Sequence, residues 1–308
     1  MTKKEIFNLL DNLNIDKSKY MLVEDTSLVC HGIIKNTDII KVQSLESFKC
    51  DNVEVEVVKK LKNYEKINDF LVMNVKKCLE IKKTSYNISD KNIIKKMELY
   101  LDCLDTYKNE RELKKKGYKL IAGVDEVGRG PLVGPVVAAC CILPDDFNLE
   151  GLTDSKKLTE KKRDYFYEEI KKQAISYGIG IVDEKRIDEI NIYQATKEAM
   201  IMAINNCNVK PDFVLTDAMK LDIDIEVRPL IKGDLRSITI SAASVLAKVT
   251  RDKMMLELDE KYPMYDFKNN VGYPTKKHLE AIKEFGIIDE HRRSYGPVRE
   301  YLEGIYEK

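Results

Sequence analysis

Two textures of apolar and polar positions divide the chain near residue 118. Before it, the segment TKKEIFNLLDNL carries apolar residues at helical spacing, whereas YMLVEDTSLVCHGIIKNTDIIKVQSL and VEVEVVKKL predict strands. In KNIIKKMELYLDCLDTYKNERELKKKGY, Ile94, Met97, Leu101 and Leu104 recur at three- and four-residue steps and predict a lysine-rich helix. Residues 1–85 are therefore expected to form a small α+β domain, 86–117 a helical connector, and 118–308 a larger domain.

Beyond 118 the pattern alternates in type. KLIAGVDE and PVVAACCIL are apolar, β-branched runs around a Gly/Pro turn and predict neighbouring strands. TEKKRDYFYEEIKKQA predicts a helix capped by Thr159, SYGIGIV a strand, and NIYQATKEAMIMAINNC a helix. PDFVLTD and IEVRPLIKGD follow as strands ending in Asp217 and Asp234, then ISAASVLAKVTRDKMMLELDEKY as a long helix. Strands alternating with helices predict an α/β domain whose mixed sheet is covered on both faces.

Composition narrows the picture. A chain of 308 residues with 44% hydrophobic content can bury a core. No apolar run approaches the roughly 20 residues of a membrane-spanning helix, and the charged start does not read as a signal peptide. A cytoplasmic protein without membrane contact is expected. The seven cysteines, Cys30, Cys50, Cys78, Cys103, Cys140, Cys141 and Cys207, are scattered without a C-x-x-C pair and indicate neither a disulfide framework nor a zinc site. Basic and acidic residues balance at 52 each, so nucleic-acid binding would have to come from a local patch.

The candidate chemistry lies where strands end in acid. Asp125 and Glu126 close one apolar run, Asp217 a second and Asp234 a third. Open α/β sheets build their sites at strand ends. A lone aspartate there is usually a turn former, but adjacent acids after an apolar run gain nothing as caps. Four converging carboxylates would repel one another unless cations neutralised them, and hard divalent cations take oxygen ligands. Two such metals roughly 3.5–4 Å apart would activate a water and stabilise the leaving oxygen of a phosphodiester attack. Asp252, inside a helix, reads as a surface or salt-bridging acid instead.

Gly128 and Gly130 around Arg129 permit close approach of a ligand backbone, and a nest of N–H groups there could hold a phosphate or a sugar hydroxyl. The string VGRGPLVG fits neither the dinucleotide nor the Walker pattern. Lys156 and Lys157 precede a helix start and would grip phosphates if they faced the acids. Tyr273 sits on a rigid Gly-Tyr-Pro turn. His278 and His291 lie in charged late segments and are expected at the surface, which argues against a histidine-based phosphatase.

Taken in order, AGVDEVGRGPLVGPVVAA, LTDSKKLTEKKR, DEINIYQATKEAM, IKGD, ISAASVLAKVTRDK, GYPTKKH and HRRSYGPVR resemble bacterial ribonuclease HII over about residues 118–300. The resemblance implies a ribonuclease H-like fold and a four-carboxylate site for Mg²⁺ or Mn²⁺, with Asp125, Glu126, Asp217 and Asp234 in the four positions. It assigns the Gly-Arg-Gly loop to Gly128, Arg129 and Gly130 and the junction-sensing tyrosine to Tyr273. The implied activity is cleavage of the RNA strand of RNA–DNA hybrids, and 5′ of a single ribonucleotide in duplex DNA, leaving 3′-hydroxyl and 5′-phosphate ends, in ribonucleotide removal and repair. A module that binds hybrids without cutting them is the alternative, disfavoured because four acids oppose a phosphate backbone. The family commonly has glycine after the third acid, where this chain has Ala218 and Met219.

The first 85 residues fall outside that resemblance. VEDTSLVCHGIIKNTDIIKV resembles the start of a nucleotidyltransferase fold that has lost half its metal pair, because Asp38 is followed by Ile39, Ile40 and Lys41. An accessory domain contacting a protein or nucleic acid is expected, with Cys30 and His31 packed rather than ligating, on a chain expected to be monomeric.

Overall fold

The computed structural model describes residues 1–12, 16–35, 37, 39–45, 53–58, 60–68, 70–84 and 90–305. Its internal contacts divide the chain into two compact units, Met1–Asp105 and Thr106–Lys308. Asp38 and Cys50 lie outside the described residues.

The first unit is α+β. Helix α1 (Lys3–Asn12) precedes β1 (Tyr20–Leu22), α2 (Glu24–Cys30), β2 (Ile40–Ser44), β3 (Val53–Val57), β4 (Tyr64–Ile67), β5 (Phe70–Met73), α3 (Val75–Thr84) and α4 (Lys91–Cys103). The strands form one mixed sheet in the order β3-β2-β1-β5-β4. Ile6, Phe7 and Leu10 of α1 pack on Tyr20, Leu22, Phe70 and Val72, and Phe7 stacks on Phe70 with ring centroids 4.8 Å apart. Cys30 is buried and the His31 imidazole contacts the Met73 carbonyl at 3.0 Å, so both are packing residues as expected.

Two expectations here need correction. The run Tyr20–Leu45 is not continuous strand, because Glu24–Cys30 is helical, with Glu24 and Asp25 in the first turn where the helix dipole favours acid and with Leu28, Val29 and Cys30 buried. Nor is 86–117 one helix: it breaks after α4, where Leu104 is exposed, and α5 (Lys108–Lys115) belongs to the second unit. The charge-rich sequence of α5 hid its anchors. Glu110 is buried, its Oε1 accepting from Ser237 Oγ at 2.6 Å and Thr239 Oγ1 at 2.8 Å, and the Asn109 amide donates to the Arg236 carbonyl at 2.9 Å.

The second unit continues with β6 (Ile121–Val127), β7 (Val136–Ile142), α6 (Glu160–Gln173), β8 (Ser176–Val182), α7 (Glu184–Asn205), β9 (Phe213–Asp217), β10 (Val227–Leu230), α8 (Ile238–Lys261), α9 (Phe267–Asn270), α10 (Lys276–Phe285) and α11 (Gly296–Leu302). The sheet order is β10-β9-β6-β7-β8, with β9 parallel to both β6 and β10 and β7 antiparallel to β6 and β8. Alternation along β7 decides the layers. Val136, Ala138, Cys140 and Ile142 face α7, while Ala139 and Cys141 face α6 and α8, so both sides are buried and the strand reads as unbroken apolar sequence. Asn191 interrupts α7 in a left-handed conformation, and its side chain caps the following turn through Tyr193 N at 3.0 Å, which is why the sequence signals a helix start there.

Helix α8 lies on β6 with nothing between them. A Cβ on Gly123 would stand 2.1 Å from the Thr239 carbonyl carbon and 2.2 Å from Ile240 N, main-chain atoms that cannot step aside. Gly123→Ala is therefore expected to destabilise the second unit by about 2–3 kcal/mol, the range of core overpacking. The shift in urea midpoint measures it, and an unchanged midpoint would show that helix and sheet are not in fixed contact.

Candidate active site

Asp125 and Glu126 sit inside β6 rather than at its end, because β6 continues to Val127 in register with Val137 of β7. Asp125 is two residues from Gly123 and so shares its α8-facing side of the sheet. There it is buried and hydrogen-bonded by Ser244, whose hydroxyl lies 2.9 Å from that of Ser155. In the parallel pair β6–β9, Val124 is matched to Thr216, which sets Asp125 beside Asp217 at the end of β9, about 4.8 Å away across strands.

Asp234 is not on a strand. After β10 ends at Leu230 the chain turns through Lys232, in the left-handed region at φ 55°, into a short 3₁₀ turn of Gly233–Leu235. Gly233 N donates to Asp217 Oδ1 at 2.8 Å, and Ser241 Oγ of α8 donates to the Asp234 carbonyl at 2.8 Å. Asp234 is thereby fixed between the β9 end and the start of α8.

All four carboxyls are pushed above their ordinary range. Burial is the largest cause at each, reinforced at Asp125 by Glu126 and Asp217, at Glu126 by Asp217, and at Asp234 by Asp217 and Asp154. Asp217 is raised by burial and by Asp154, against the Gly233 N–H and Lys156, and Asp234 reaches about 6. Asp154 is thus a fifth acid facing the group, unnoticed as such in the sequence because it also caps the turn of Ser155–Lys157, accepting from Lys156 N at 2.9 Å. Ser244 was likewise hidden inside a run of small helical residues.

The lysine pair does face the acids. Although burial works the other way, Asp125, Asp154, Asp234 and Asp217 together raise the Lys156 ammonium pKa, and Lys157 acts on Asp234. Arg129 reaches Glu126 at 3.4 Å. Tyr273, 44% exposed, lies against Gly130, where a Cβ would meet its ring carbon at 3.0 Å. Asp252 pairs with Lys248 at 2.6 Å, four residues back along α8, and takes no part.

Among the described residues no three His, Cys, Asp or Glu side chains close into a finished ligand shell. The donors nevertheless suit a hard divalent cation, which needs only one or two carboxylates besides water and substrate phosphate oxygens. Glu126 Oε2 is buried without a hydrogen-bond partner, an acceptor left over by the protein.

His278 and His291 are buried, not superficial. Their contacts fix one pattern of protons. Ile288 N donates to His291 Nδ1 at 3.0 Å, so His291 carries its proton on Nε2, which faces His278 Nε2 at 3.3 Å. His278 is then protonated on Nδ1, which donates to the Tyr273 carbonyl at 2.9 Å. This neutral pair anchors the tyrosine turn from behind.

Residues 122–296 match the family described as Ribonuclease HII. Over 200 residues the chain is 57% identical to Ribonuclease HII of Bacillus cereus (strain Q1), covering 65% of this chain and 78% of that protein. The chain belongs to the ribonuclease HII family. It is accordingly an RNase H enzyme, an endoribonuclease of the hydrolase class. Among solved structures, ribonuclease H2 of Pyrococcus horikoshii OT3 is 28% identical with a TM-score of 0.54, covering 62% of this chain and all (100%) of that one. The RNase HII of Archaeoglobus fulgidus, in its complex with PCNA, is 26% identical with a TM-score of 0.50, covering 58% and 96%. The second unit thus has the ribonuclease H-like fold, and the first unit lies outside the family match.

Ala218 stands where the resemblance leads one to expect glycine, and its backbone shows why glycine would suit the position. Its φ is 53°, left-handed backbone that costs an L-residue about 1–2 kcal/mol. The neighbouring Met219, buried against the α7 face of the sheet, creates no such strain. Replacing Ala218 by glycine relieves the strain but enlarges unfolded-state freedom, at about 0.4–1 kcal/mol, so Ala218→Gly is expected to stabilise by about 0.5–1 kcal/mol. Chemical denaturation checks this; a lower midpoint would contradict it.

The histidine pair gives a pH prediction. Burial holds both imidazoles below their ordinary range, and His291, facing His278, falls to about 3. As pH drops through about 6.5 the unfolded imidazoles bind protons before the folded ones do, so both withdraw stability below that pH, and His291 continues to do so down to about 3. The imidazole NMR signals of His291 should stay neutral from pH 7 to about 4.5, and those of His278 should titrate below the ordinary range; ordinary titration of both near 6.5 would refute the buried pair.

Proposed function

We propose that this enzyme cleaves the RNA strand of RNA–DNA hybrids and cuts 5′ of a single ribonucleotide in duplex DNA, leaving 3′-hydroxyl and 5′-phosphate ends, in ribonucleotide removal and repair. The observation that carries the reading is the gathering of Asp125, Glu126, Asp217 and Asp234 at one sheet end, all held above their ordinary pKa range, with Glu126 Oε2 unpartnered. Such a group has no structural use without a positive partner. Its four acids are the catalytic residues and the ligands of Mg²⁺ or Mn²⁺. When bound, the cations make a water nucleophilic and take up charge on the leaving 3′ oxygen.

The protein's own groups supply the rest. Ser244 orients Asp125, and the Gly233 N–H orients Asp217. Lys156 and Lys157, beside the acids, attract the scissile region's phosphates, and Arg129 adds a guanidinium on the same side. The main-chain N–H groups of Gly128, Arg129 and Gly130 donate to no main-chain carbonyl among the described residues, which leaves them for a 2′-hydroxyl, the group that distinguishes RNA from DNA. Tyr273 stands next to Gly130, where it would stack on the sugar of the next nucleotide and favour an RNA-to-DNA junction. Affinity from this local patch on a chain of zero formal net charge should fall with salt.

No helix among the described residues is long and apolar enough to cross a membrane, in keeping with a cytoplasmic place beside DNA. The first unit is read as an accessory domain for a protein or nucleic-acid partner, and the protein as a monomer.

Cleavage of a labelled duplex carrying one ribonucleotide, in Mg²⁺ and in Mn²⁺, tests the reading. Asp125→Asn is expected to lose about 100-fold or more in rate, as when one group that stabilises the transition state is removed. Tight duplex binding without cleavage in either metal by the intact protein would reject it.

A further inference from the structure

The loop from Gly128 to Pro135 is held from behind by two buried arginines, and neither is paired with a carboxylate. Arg251 and Arg292 are 1% and 0% exposed, and no ion pair reaches them among the described residues. Arg292 donates to the carbonyls of Gly128 at 2.6 Å, Arg129 at 3.2 Å and Gly134 at 2.7 Å and 2.9 Å. Arg251 donates to Pro135 at 3.1 Å, Val133 at 3.0 Å and Val271 at 2.9 Å, and the last ties the loop to the turn before Tyr273. Tyr295 completes the set, its hydroxyl donating to the Arg129 carbonyl at 2.6 Å and accepting from Arg292 at 3.0 Å.

Stability alone does not account for this arrangement. Burying two like charges with only neutral acceptors is costly, and apolar residues of similar volume would hold a core at least as well. What a guanidinium supplies that an apolar residue cannot is five donors in a rigid plane. Five carbonyls of one eight-residue loop are turned inward by those donors. A peptide whose carbonyl is pinned has its N–H direction pinned as well, because the unit is planar. The consequence falls on Arg129 and Gly130, both exposed, whose amide protons belong to the peptides with the Gly128 and Arg129 carbonyls.

We propose that Arg251 and Arg292, with Tyr295, are positioning residues for substrate choice: by holding the loop's carbonyls inward they aim its amides at the ribose and keep them in register with Tyr273. This rests on the reading of Gly128–Gly130 as the 2′-hydroxyl sensor. The contribution is to selectivity. Phosphate contacts from Lys156 and Lys157 do not depend on it.

The readout is the ratio of two constants: KM for a duplex with one ribonucleotide, and Ki for the same duplex in all-deoxy form as a competitor of its cleavage. In the intact protein Ki should exceed KM. Arg292→Lys keeps the charge but loses the planar fork, and should lower the ratio roughly 5- to 20-fold, the worth of one or two hydrogen bonds, by raising KM while Ki stays the same. An inactive fraction would lower kcat and leave the ratio alone, which separates positioning from mere damage. If Arg292→Lys does not fold, Tyr295→Phe decides by the same ratio, with a fall of roughly 3- to 10-fold expected. A normal ratio in folded variants overturns the arginine assignment only. Equal Ki and KM in the intact protein overturns the sensor reading and this inference with it.

Discussion

Gly123 has no side chain, and the site depends on that gap. Because α8 rests directly on β6 there, every later residue of the helix is placed against the sheet by a contact between main chains. Ser241 reaches the turn of Asp234, Ser244 reaches Asp125, and Arg251 reaches the Val133 and Pro135 carbonyls. These residues recur along one helix at steps that keep them on one face. A single rigid element therefore indexes two acids and the loop beside them. A shift of α8 by the width of a methyl group would disturb all three together, which matters because misplacement of reacting groups by about 1 Å can cost roughly 100-fold in rate.

Electrostatics then works against the fold that geometry has built. Burial lifts all four carboxyls above their normal pKa range, repulsion from neighbouring acids adds to it at Asp125, Glu126 and Asp234, and Asp154 adds to it at Asp217 and Asp234. Lys156 and Arg129 offset part of it from the rim. The remaining imbalance is a standing affinity for positive charge, and the cost is borne by the buried apolar layers on both faces of the sheet. A cation bound there would have to displace protons, so its affinity would rise with pH.

Much of this was legible in the sequence. Unbroken apolar β7 and the alternation of strands and helices are consequences of burial on two faces, and the adjacent acids of β6 mark where buried carboxyls crowd at the sheet end. What escaped was whatever depends on a partner distant in sequence. Glu110 and Asn109 look like part of a solvated charge run, yet they hold the start of α8. Asp234 looks like a strand terminus but sits in a 3₁₀ turn, because the tie from Gly233 to Asp217 draws the chain back toward β9. The histidines lie among charged neighbours, but their rings pack against Tyr265 and Phe267. Local polarity was a poor guide wherever a polar side chain was satisfied by the main chain of a remote element.

A buried polar side chain costs free energy only while its hydrogen bonds are unmade, so a fold that already exposes carbonyls in a tight loop can accept arginine where a sequence reading expects surface. The Gly-rich stretch 128–135 presents such carbonyls because its turns leave no strand or helix to absorb them. Its arginine partners come from α8 and from the segment before α11, 116 to 164 residues away in sequence. Neither partner could be assigned until the two segments were seen to meet. Loop and arginines satisfy one another, so the unusual burial of charge and the unusual density of glycine are one arrangement, and it leaves the Arg129 and Gly130 amides on the exposed side of the loop.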